Sequence, residues 1–455
     1  MNIDFKKLLK PYKDESIISL QNWIKIDSVY DETTKTNEKP FGQGVYDALE
    51  YIATIAEKEG FNVDRCDNYC TEISFGEGEL IAIYAHADVV PVTGKWDYEA
   101  FGGEIVNEIM YGRGTSDDKG PAMAAFYALK ALKENNLIDG YKVSLVIGGN
   151  EESGSQCLEH YFHKLHKPYP KYGFTPDGDF PLIYGEKGIT GFIHNLLVDL
   201  PQVVSIKGGQ AVNSVIDEAR CIFKHDYKLS KACEKFFSLI NIKYQFISGS
   251  DLDELVVYGK SAHGSLPQLG VNAGLHLLKF LGWYYHDNDV SKIASWYLEP
   301  TGRMFDCFYE GEHLHETTYN VGLINFEQNK LTLVVNFRYP ENCNPRDVEL
   351  KMNELELGQV KFFGYGEPLL VDPNSKMIQT LYKIYQEETG DYTTPKLTIG
   401  GGTYARESKN TIAFGSHFPG REDNIHSPNE KIHLEDYLNS QSIYARAIYE
   451  LGKLK

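Results

Sequence analysis

Residues 80–88 read Leu-Ile-Ala-Ile-Tyr-Ala-His-Ala-Asp, a short apolar run that ends in two polar side chains. An uninterrupted apolar run of this length is typical of a buried strand. A strongly helical segment begins at Gly120-Pro121 and extends to about residue 135, and another strand-like run follows at 142–147. Strands that alternate with helices predict an α/β fold, in which a parallel or mixed sheet is covered by helices on both faces.

The chain changes character after about residue 190. Residues 191–365 contain strand-like and helix-like stretches in no regular alternation, which is typical of an α+β unit, and the remainder returns to helix and a glycine-rich loop. We therefore predict one α/β domain, formed by residues 1–190 and 366–455, that is interrupted by an α+β domain. The predicted strands of the insert are 218–223, 254–258 and 330–337, and its predicted helices are 229–240, 271–285 and 345–356.

Composition excludes several classes of protein. The 45 Lys and Arg against 64 Asp and Glu give a net charge of −19, a field that repels nucleic acid and anionic membrane surfaces. No stretch approaches the length of a membrane-spanning helix, and the first residues carry charge where a signal peptide has an apolar core. The seven scattered cysteines are expected to be free buried thiols. These features predict a cytoplasmic protein.

Acidic and imidazole side chains cluster where the predicted strands end. His86 and Asp88 are two residues apart, which places both on one face of an extended strand. The other members follow a strand or precede a helix: Asp117, the pair Glu151-Glu152, and Asp177. Sites in α/β proteins form beyond the carboxyl ends of strands, so we expect these groups to meet there.

Each of these residues has an ordinary structural interpretation on its own, as a buried histidine, a helix cap or a turn aspartate. Gathered in one crevice, however, two carboxylates about 4 Å apart repel each other by ~4 kcal/mol at an effective dielectric of about 20. Divalent cations relieve that repulsion, and imidazole with carboxylate but no thiolate suits Zn, Mn or Co. Together the residues therefore predict a metal site.

Three motifs carry most of these residues, YAHADVVP at 84–91, GRGTSDDKGP at 112–121 and GNEESG at 149–154, and four further stretches accompany them at 208–214, 259–264, 336–340 and 400–404. Together they resemble the co-catalytic metallopeptidase superfamily, which contains aminoacylases, glutamate carboxypeptidases and carnosinase-type dipeptidases. Within that superfamily the chain is most similar to the bacterial PepV-type dipeptidases, from about residue 10 to its end. The resemblance implies metal-dependent hydrolysis of the peptide bond of dipeptides by a metal-bridged water.

The resemblance also implies roles for individual residues. Asp117 would bridge two divalent metal ions, Zn or alternatively Mn or Co, and its peptide bond to Asp118 would be cis. Asp88 would fix the imidazole of His86 by a hydrogen bond, and Glu151 would be the general base and acid. The two metal sites would be completed by His86 and Asp177 on one side and by Glu152 and His426 on the other.

The α+β insert resembles the lid domain of this family, and the interrupted α/β domain would then be the catalytic one. His263 matches the lid histidine that polarises the scissile carbonyl and stabilises the oxyanion. Arg338 matches the arginine that binds the substrate carboxylate. The remaining residues expected to position the substrate are Asn213, Gly401, Gly402 and Thr403.

Three functions stay open at this point. The leading hypothesis is a dinuclear metal dipeptidase, and the second is an amidohydrolase that acts on N-acyl or carbamoyl amino acids. The third is a catalytically silent metal-binding protein, against which the presence of both Glu151 and His263 argues. A long lid can close its own active site, which favours a monomer over a homodimer.

Overall fold

The computed structural model describes residues 3–454, and the chain divides into two compact units. The first comprises Met1–Gly185, Leu370–Thr398 and Gly402–Lys455. The second comprises Glu186–Leu369 together with Ile399–Gly401. Each unit contains its own cluster of buried apolar side chains.

A mixed sheet of nine strands forms the centre of the first unit. Its strands Tyr141–Gly148, Glu79–His86 and Tyr172–Thr175 are parallel neighbours, whereas Cys70–Gly76 joins them antiparallel. The apolar run at 80–84 lies in Glu79–His86, the middle one of the three parallel strands, and the interior of that strand is buried. The remaining strands of this sheet are Asn62–Asp64, Ile183–Glu186, Leu369–Leu370, Leu397–Ile399 and Thr411–Ala413. The three parallel strands end at the same edge of the sheet, which is where the sequence predicts the site.

Helices accompany this sheet. The helix predicted from Gly120-Pro121 spans Lys119–Glu134, is buried along nearly its whole length and packs against the helix Leu434–Gly452. The other helices are Phe5–Leu9, Lys13–Ile24, Gln43–Lys58, Gln156–Glu159 and Lys376–Thr389, with short 3₁₀ turns at Lys10–Tyr12, Cys66–Asn68 and Tyr404–Glu407 and a π-helical turn at His160–Lys164. The α/β prediction for this part of the chain is confirmed.

A small three-stranded sheet in the first unit connects distant parts of the chain. Lys431–His433 pairs antiparallel with Ile109–Tyr111, which pairs in turn with Glu104–Val106. This pairing fixes the segment that precedes the helix Leu434–Gly452. The loop that carries His426 therefore has an ordered base.

The second unit is built on a sheet of eight strands in which every pair of neighbours is antiparallel. From one edge to the other the strands are Tyr244–Ser248, Leu252–Tyr258, Glu218–Lys224, Val203–Gly208, Thr318–Glu327, Lys330–Tyr339, Gly188–Leu197 and Gln359–Gly366. Its helices are Leu229–Ile240, Ala273–Tyr285, Asn288–Leu298 and Pro345–Glu354, with short turns at Pro267–Leu269 and Arg303–Phe305 and a two-stranded ribbon of Glu310–Gly311 and His315–Glu316. The predicted α+β character of the insert is therefore confirmed.

The cysteines are placed as the sequence predicts. All seven cysteines are buried and none forms a disulfide, as expected. Within residues 3–454, none of the helices combines the length and the apolarity that a membrane crossing requires.

Candidate metal centre

Parallel strands bring the predicted site residues to one edge of the first unit's sheet. His86 is the last residue of the strand Glu79–His86, and Glu151 and Asp177 follow the two strands that flank it. Asp117 lies in the turn that precedes a buried helix. Because the strands are parallel neighbours, residues far apart in the sequence lie side by side at this edge.

The candidate ligands form two groups that share one aspartate. One group contains His86, Asp117 and Asp177, and the other contains Asp117, Glu152 and His426; in each, the ligand atoms all lie within 4.8 Å of one another. The Nε2 atom of His86 is 2.9 Å from Asp117 Oδ1, and the Nε2 atom of His426 is 2.8 Å from Asp117 Oδ2. One carboxylate therefore presents one oxygen to each group.

The imidazole of His86 is in the orientation that a metal ligand requires. Its Nδ1 atom donates a hydrogen bond of 2.9 Å to the backbone carbonyl of Asp88, an atom that can only accept. Nδ1 therefore carries a proton, and Nε2 faces the carboxylates of Asp117 and Asp177. A backbone carbonyl that fixes the tautomer of a histidine is a common feature of metal sites.

The side chain of Asp88 has partners beyond His86, the residue that the sequence analysis assigned to it. Its carboxylate accepts hydrogen bonds from the backbone N–H groups of Glu151 and Glu152, both at 3.0 Å, one on each oxygen. Its Oδ1 atom also lies 3.5 Å from Nδ1 of His86, and the shorter contact of that nitrogen, 2.9 Å, is with the Asp88 backbone carbonyl. The buried carboxylate thus holds the turn that carries both glutamates.

The closely spaced carboxylates of the candidate metal centre favour the binding of protons or cations. Burial, together with the negative charge of Asp117, raises the pKa of Glu152 to about 7 and that of Asp177 to about 6. Burial also raises the pKa of Glu151 well above its usual range. Burial alone would lower the pKa of His426, but its hydrogen bonds to Asp117 and Glu152 raise it to about 11. Positive charge is therefore what this cluster of carboxylates lacks.

The turn that carries Asp117 is tied to the end of the central strand. The peptide bond between Asp117 and Asp118 is cis, as the family resemblance implies. Oδ2 of Asp118 accepts a hydrogen bond of 3.0 Å from the backbone N–H of His86. Two of the candidate ligands are thus joined through a side chain that belongs to neither ligand group.

The second unit contains Arg338, which the sequence analysis assigned to the substrate carboxylate. Its guanidinium is buried, and it donates from Nε to Asn336 Oδ1 at 2.7 Å and from Nη1 to the Gly400 carbonyl at 3.2 Å. Gly401 belongs to the same unit, whereas Gly402 and Thr403 belong to the first. The guanidinium is therefore held in a fixed plane.

His263 lies in a turn of the same unit. Its Nδ1 atom is hydrogen-bonded to the hydroxyl of Ser265 at 2.6 Å, and the adjacent N–H of Gly264 donates to the Asn213 carbonyl at 2.7 Å. A Cβ atom at Gly400 would lie 2.8 Å from the Cβ of Ser265, which is too close for any residue but glycine. The predicted residues Asn213 and His263 are thus neighbours, and Gly400 packs against the turn that carries His263.

Two charged residues at the metal centre received no role from the sequence. Glu430 is completely buried and binds Arg113 Nη1 at 2.6 Å. Glu430 also accepts hydrogen bonds from the turn that ends in Asp117. Both residues lie within or next to motifs that supply candidate ligands, and a charged residue in such a motif is the signal that could have indicated them.

Comparisons with a family model, with related sequences and with solved structures all match this chain to peptidases. The family model described as peptidase family M20/M25/M40 matches residues 82–450. A protein of Bacillus subtilis (strain 168) named "Putative dipeptidase YtjP" is 37% identical, over 97% of this chain and 98% of its own length. The Saccharomyces cerevisiae di-peptidase Dug1p structure has a TM-score of 0.60 at 14% identity, and human carnosine dipeptidase 1 has 0.59 at 15%; each match covers 99% of this chain and 98% of the other. These two structures share the fold of this chain.

Proposed function

This chain belongs to peptidase family M20/M25/M40, and on that premise we propose that it is a dipeptidase with two divalent metal ions in its catalytic centre. The observation that carries the proposal is the Asp117 carboxylate, whose two oxygens face two different groups of candidate ligands. A site for a single structural ion needs no such shared carboxylate. The names of the Bacillus relative and of the two similar structures support dipeptides as the substrate.

The residues present fit a pair of such ions. Imidazole nitrogen and carboxylate oxygen are ligands that Zn accepts, as do Mn and Co. Three ligand carboxylates against two divalent cations leave one positive charge, which a hydroxide would neutralise. When bound, the two ions supply Lewis acidity and bring the pKa of a water towards ~7. We assign Zn, with Mn or Co as the alternatives. The ligands would be His86, Asp117 and Asp177 for one ion and Asp117, Glu152 and His426 for the other.

Glu151 is the acid–base residue in this proposal. Its backbone N–H is fixed by the carboxylate of Asp88, while its own carboxyl belongs to neither ligand group. The Glu151 carboxylate takes a proton from the attacking water and then delivers it to the leaving amine nitrogen. Asp88 contributes by holding the backbone from which Glu151 reaches the substrate.

The residues of the second unit act on the substrate in this proposal. His263 donates a hydrogen bond to the scissile carbonyl oxygen, and its contact with Ser265 fixes the ring. Arg338 binds the C-terminal carboxylate, because its planar guanidinium is held by two hydrogen bonds before substrate arrives. The residues assigned to positioning the substrate are Asn213, Gly401, Gly402 and Thr403.

The proposal also covers the roles of the two domains, the oligomeric state and the location of the enzyme. The insert, residues 191–365, acts as a lid domain on a catalytic domain formed by 1–190 and 366–455. The enzyme is a cytoplasmic monomer. Unpaired buried cysteines support the reducing compartment, and the net charge of −19 argues against nucleic acid and anionic membranes as partners.

Variants of the two lid residues separate their roles. His263→Ala is expected to lower kcat by ~10²–10³, the effect of losing one oxyanion donor. Arg338→Ala is expected to raise KM for dipeptides and to have much less effect on dipeptide amides, which lack the carboxylate. Steady-state kinetics and metal analysis measure both. Loss of bound metal in either variant would place that residue in the scaffold of the site instead.

A substrate panel tests the function itself. Protein loaded with Zn, Mn or Co is expected to hydrolyse dipeptides that contain Ala, Leu or β-Ala, and to leave tripeptides and N-acetyl or carbamoyl amino acids intact. Cleavage of the acylated compounds alone would identify an amidohydrolase. Two bound ions without hydrolysis of any compound would identify a catalytically silent metal-binding protein.

A further inference from the structure

Glu430 is a completely buried carboxylate that the proposed reaction does not use. Its Oε1 atom accepts hydrogen bonds from the backbone N–H groups of Gly114, Ser116 and Asp117, at 3.0, 3.0 and 3.2 Å. Its Oε2 atom accepts from Nη1 of Arg113 at 2.6 Å. One carboxylate therefore gathers four donors from a single turn, and the last residue of that turn is the ligand shared by both metal groups.

The backbone around Glu430 also forms the base of the loop that carries His426. The Glu430 carbonyl accepts a hydrogen bond of 2.9 Å from the N–H of Gly112, and the hydroxyl of Ser116 donates to the Lys431 carbonyl at 2.8 Å. His426 lies four residues before Glu430, at a position with a positive φ of 57°. The turn that presents Asp117 and the loop that presents His426 are thus joined at this point.

Arg113 balances the charge of Glu430, but burying both charged groups costs desolvation free energy. Its guanidinium is 1% exposed and lies 5.3 Å from the ring centroid of Trp96. Removing two charges from water is expensive, and well-packed apolar residues often stabilise a fold as much as a buried ion pair does. The three hydrogen bonds that Glu430 accepts from backbone N–H groups have a specific geometric effect, however, because they fix the backbone of the Asp117 turn.

We propose that Glu430 is a positioning residue that holds Asp117 and His426 in the arrangement that binds both metal ions. It acts through backbone N–H groups and touches neither the ions nor the substrate. This inference rests on the proposed metal centre. Because Asp117 belongs to both ligand groups, loss of Glu430 weakens the binding of both ions, whereas loss of His426 removes a ligand of only one.

Calorimetric titration of chelator-treated protein with Zn²⁺ tests the proposal on Glu430→Gln, which keeps the shape and removes the charge. Both dissociation constants are expected to rise about 10- to 100-fold, the size of effect seen when groups that support metal ligands are lost. The visible absorption of bound Co²⁺ is expected to change as well. His426→Ala is expected to weaken one ion only.

Asp253→Asn is the matched control, because Asp253 is also a buried carboxylate that gathers backbone donors. It is 1% exposed and accepts hydrogen bonds from the N–H groups of Asp226 and Gly249 and from the hydroxyl of Ser248, all in the second unit. Asp253→Asn is expected to lose stability while its Zn²⁺ constants stay at the wild-type values. An equal loss of metal binding in the control would overturn the proposal.

Unchanged constants in Glu430→Gln, or a rise for one ion alone, would also overturn it. If Glu430→Gln does not fold, Arg113→Lys is the second test, because lysine keeps the charge but displaces the single donor that holds Oε2 of Glu430. It is expected to show a smaller rise in both constants, and unchanged constants would overturn the proposal. Failure of the proposed metal centre itself would be visible separately, as wild-type protein that does not bind two ions.

Discussion

Removal of the metal ions by a chelator is expected to abolish hydrolysis and to destabilise the first unit. The ligand set contains three carboxylates, and Asp117 has a ligand oxygen within 4.8 Å of one from Asp177 in one group and of one from Glu152 in the other. Each pair at about 4 Å costs ~4 kcal/mol when no cation offsets the repulsion. An ion that binds only the folded state stabilises it by ~4 kcal/mol at a thousandfold excess over its Kd. Metal analysis, activity and thermal unfolding before and after chelation measure the effect.

The same experiment contains its own control. Returning Zn²⁺, Mn²⁺ or Co²⁺ is expected to restore activity and Tm together, with two ions bound per chain at full activity. Protein that is dialysed without chelator is expected to change in neither property. Full activity in protein from which both ions have been removed would contradict the metallopeptidase assignment.

The fold of the first unit follows closely from local sequence. The apolar run at 80–84 lies within the strand Glu79–His86, and the helix predicted from 120 to 135 forms at Lys119–Glu134. Both patterns are complete within one short segment, so no distant residue is needed to recognise them. The meeting of site residues at the sheet edge then follows from the parallel order of the strands.

The sheet of the second unit was only partly predictable, because several of the strands that the sequence analysis missed contain glycines. In the strand Gly188–Leu197, a Cβ atom at Gly188 would lie 2.2 Å from Cζ of Tyr339, and one at Gly191 would lie 2.5 Å from Cζ of Phe363. Locally these glycines argue against a strand. They are required by aromatic rings from strands that lie more than a hundred residues away in the sequence, which no local pattern contains.

At the candidate site, local sequence indicates the ligand residues but not the hydrogen-bond partners of the buried carboxylates around them. His86, Asp117 and Asp177 could be grouped from their residue types and their places after strands or before a helix. The partners of Asp88 and Glu430 could not, because both carboxylates bind backbone N–H groups. A backbone donor is present at every residue except proline, so the sequence carries no signal for which carboxylate it meets.

The adjacent glutamates are expected to fail in different ways when each is changed to glutamine. Both N–H groups bind the carboxylate of Asp88, but only Glu152 belongs to a ligand group, with Oε1 3.0 Å from His426 Nε2. Glu152→Gln removes a charge that balances one cation. That variant is expected to bind about one ion fewer per chain and to lose activity for that reason, which metal analysis measures directly.

Glu151→Gln is expected to keep both ions and to bind substrate, yet to lose ~10²–10⁴ in kcat, the usual contribution of general acid–base catalysis. The amide has nearly the same size and leaves the backbone contact with Asp88 intact, but it cannot accept the proton of the attacking water. Single-turnover kinetics beside metal analysis separate this loss from a loss of ions, and Glu152→Gln is the matched control. A Glu151→Gln protein that lost an ion, or a Glu152→Gln protein that kept both, would exchange the two roles, because the charge that holds the cation would then belong to Glu151.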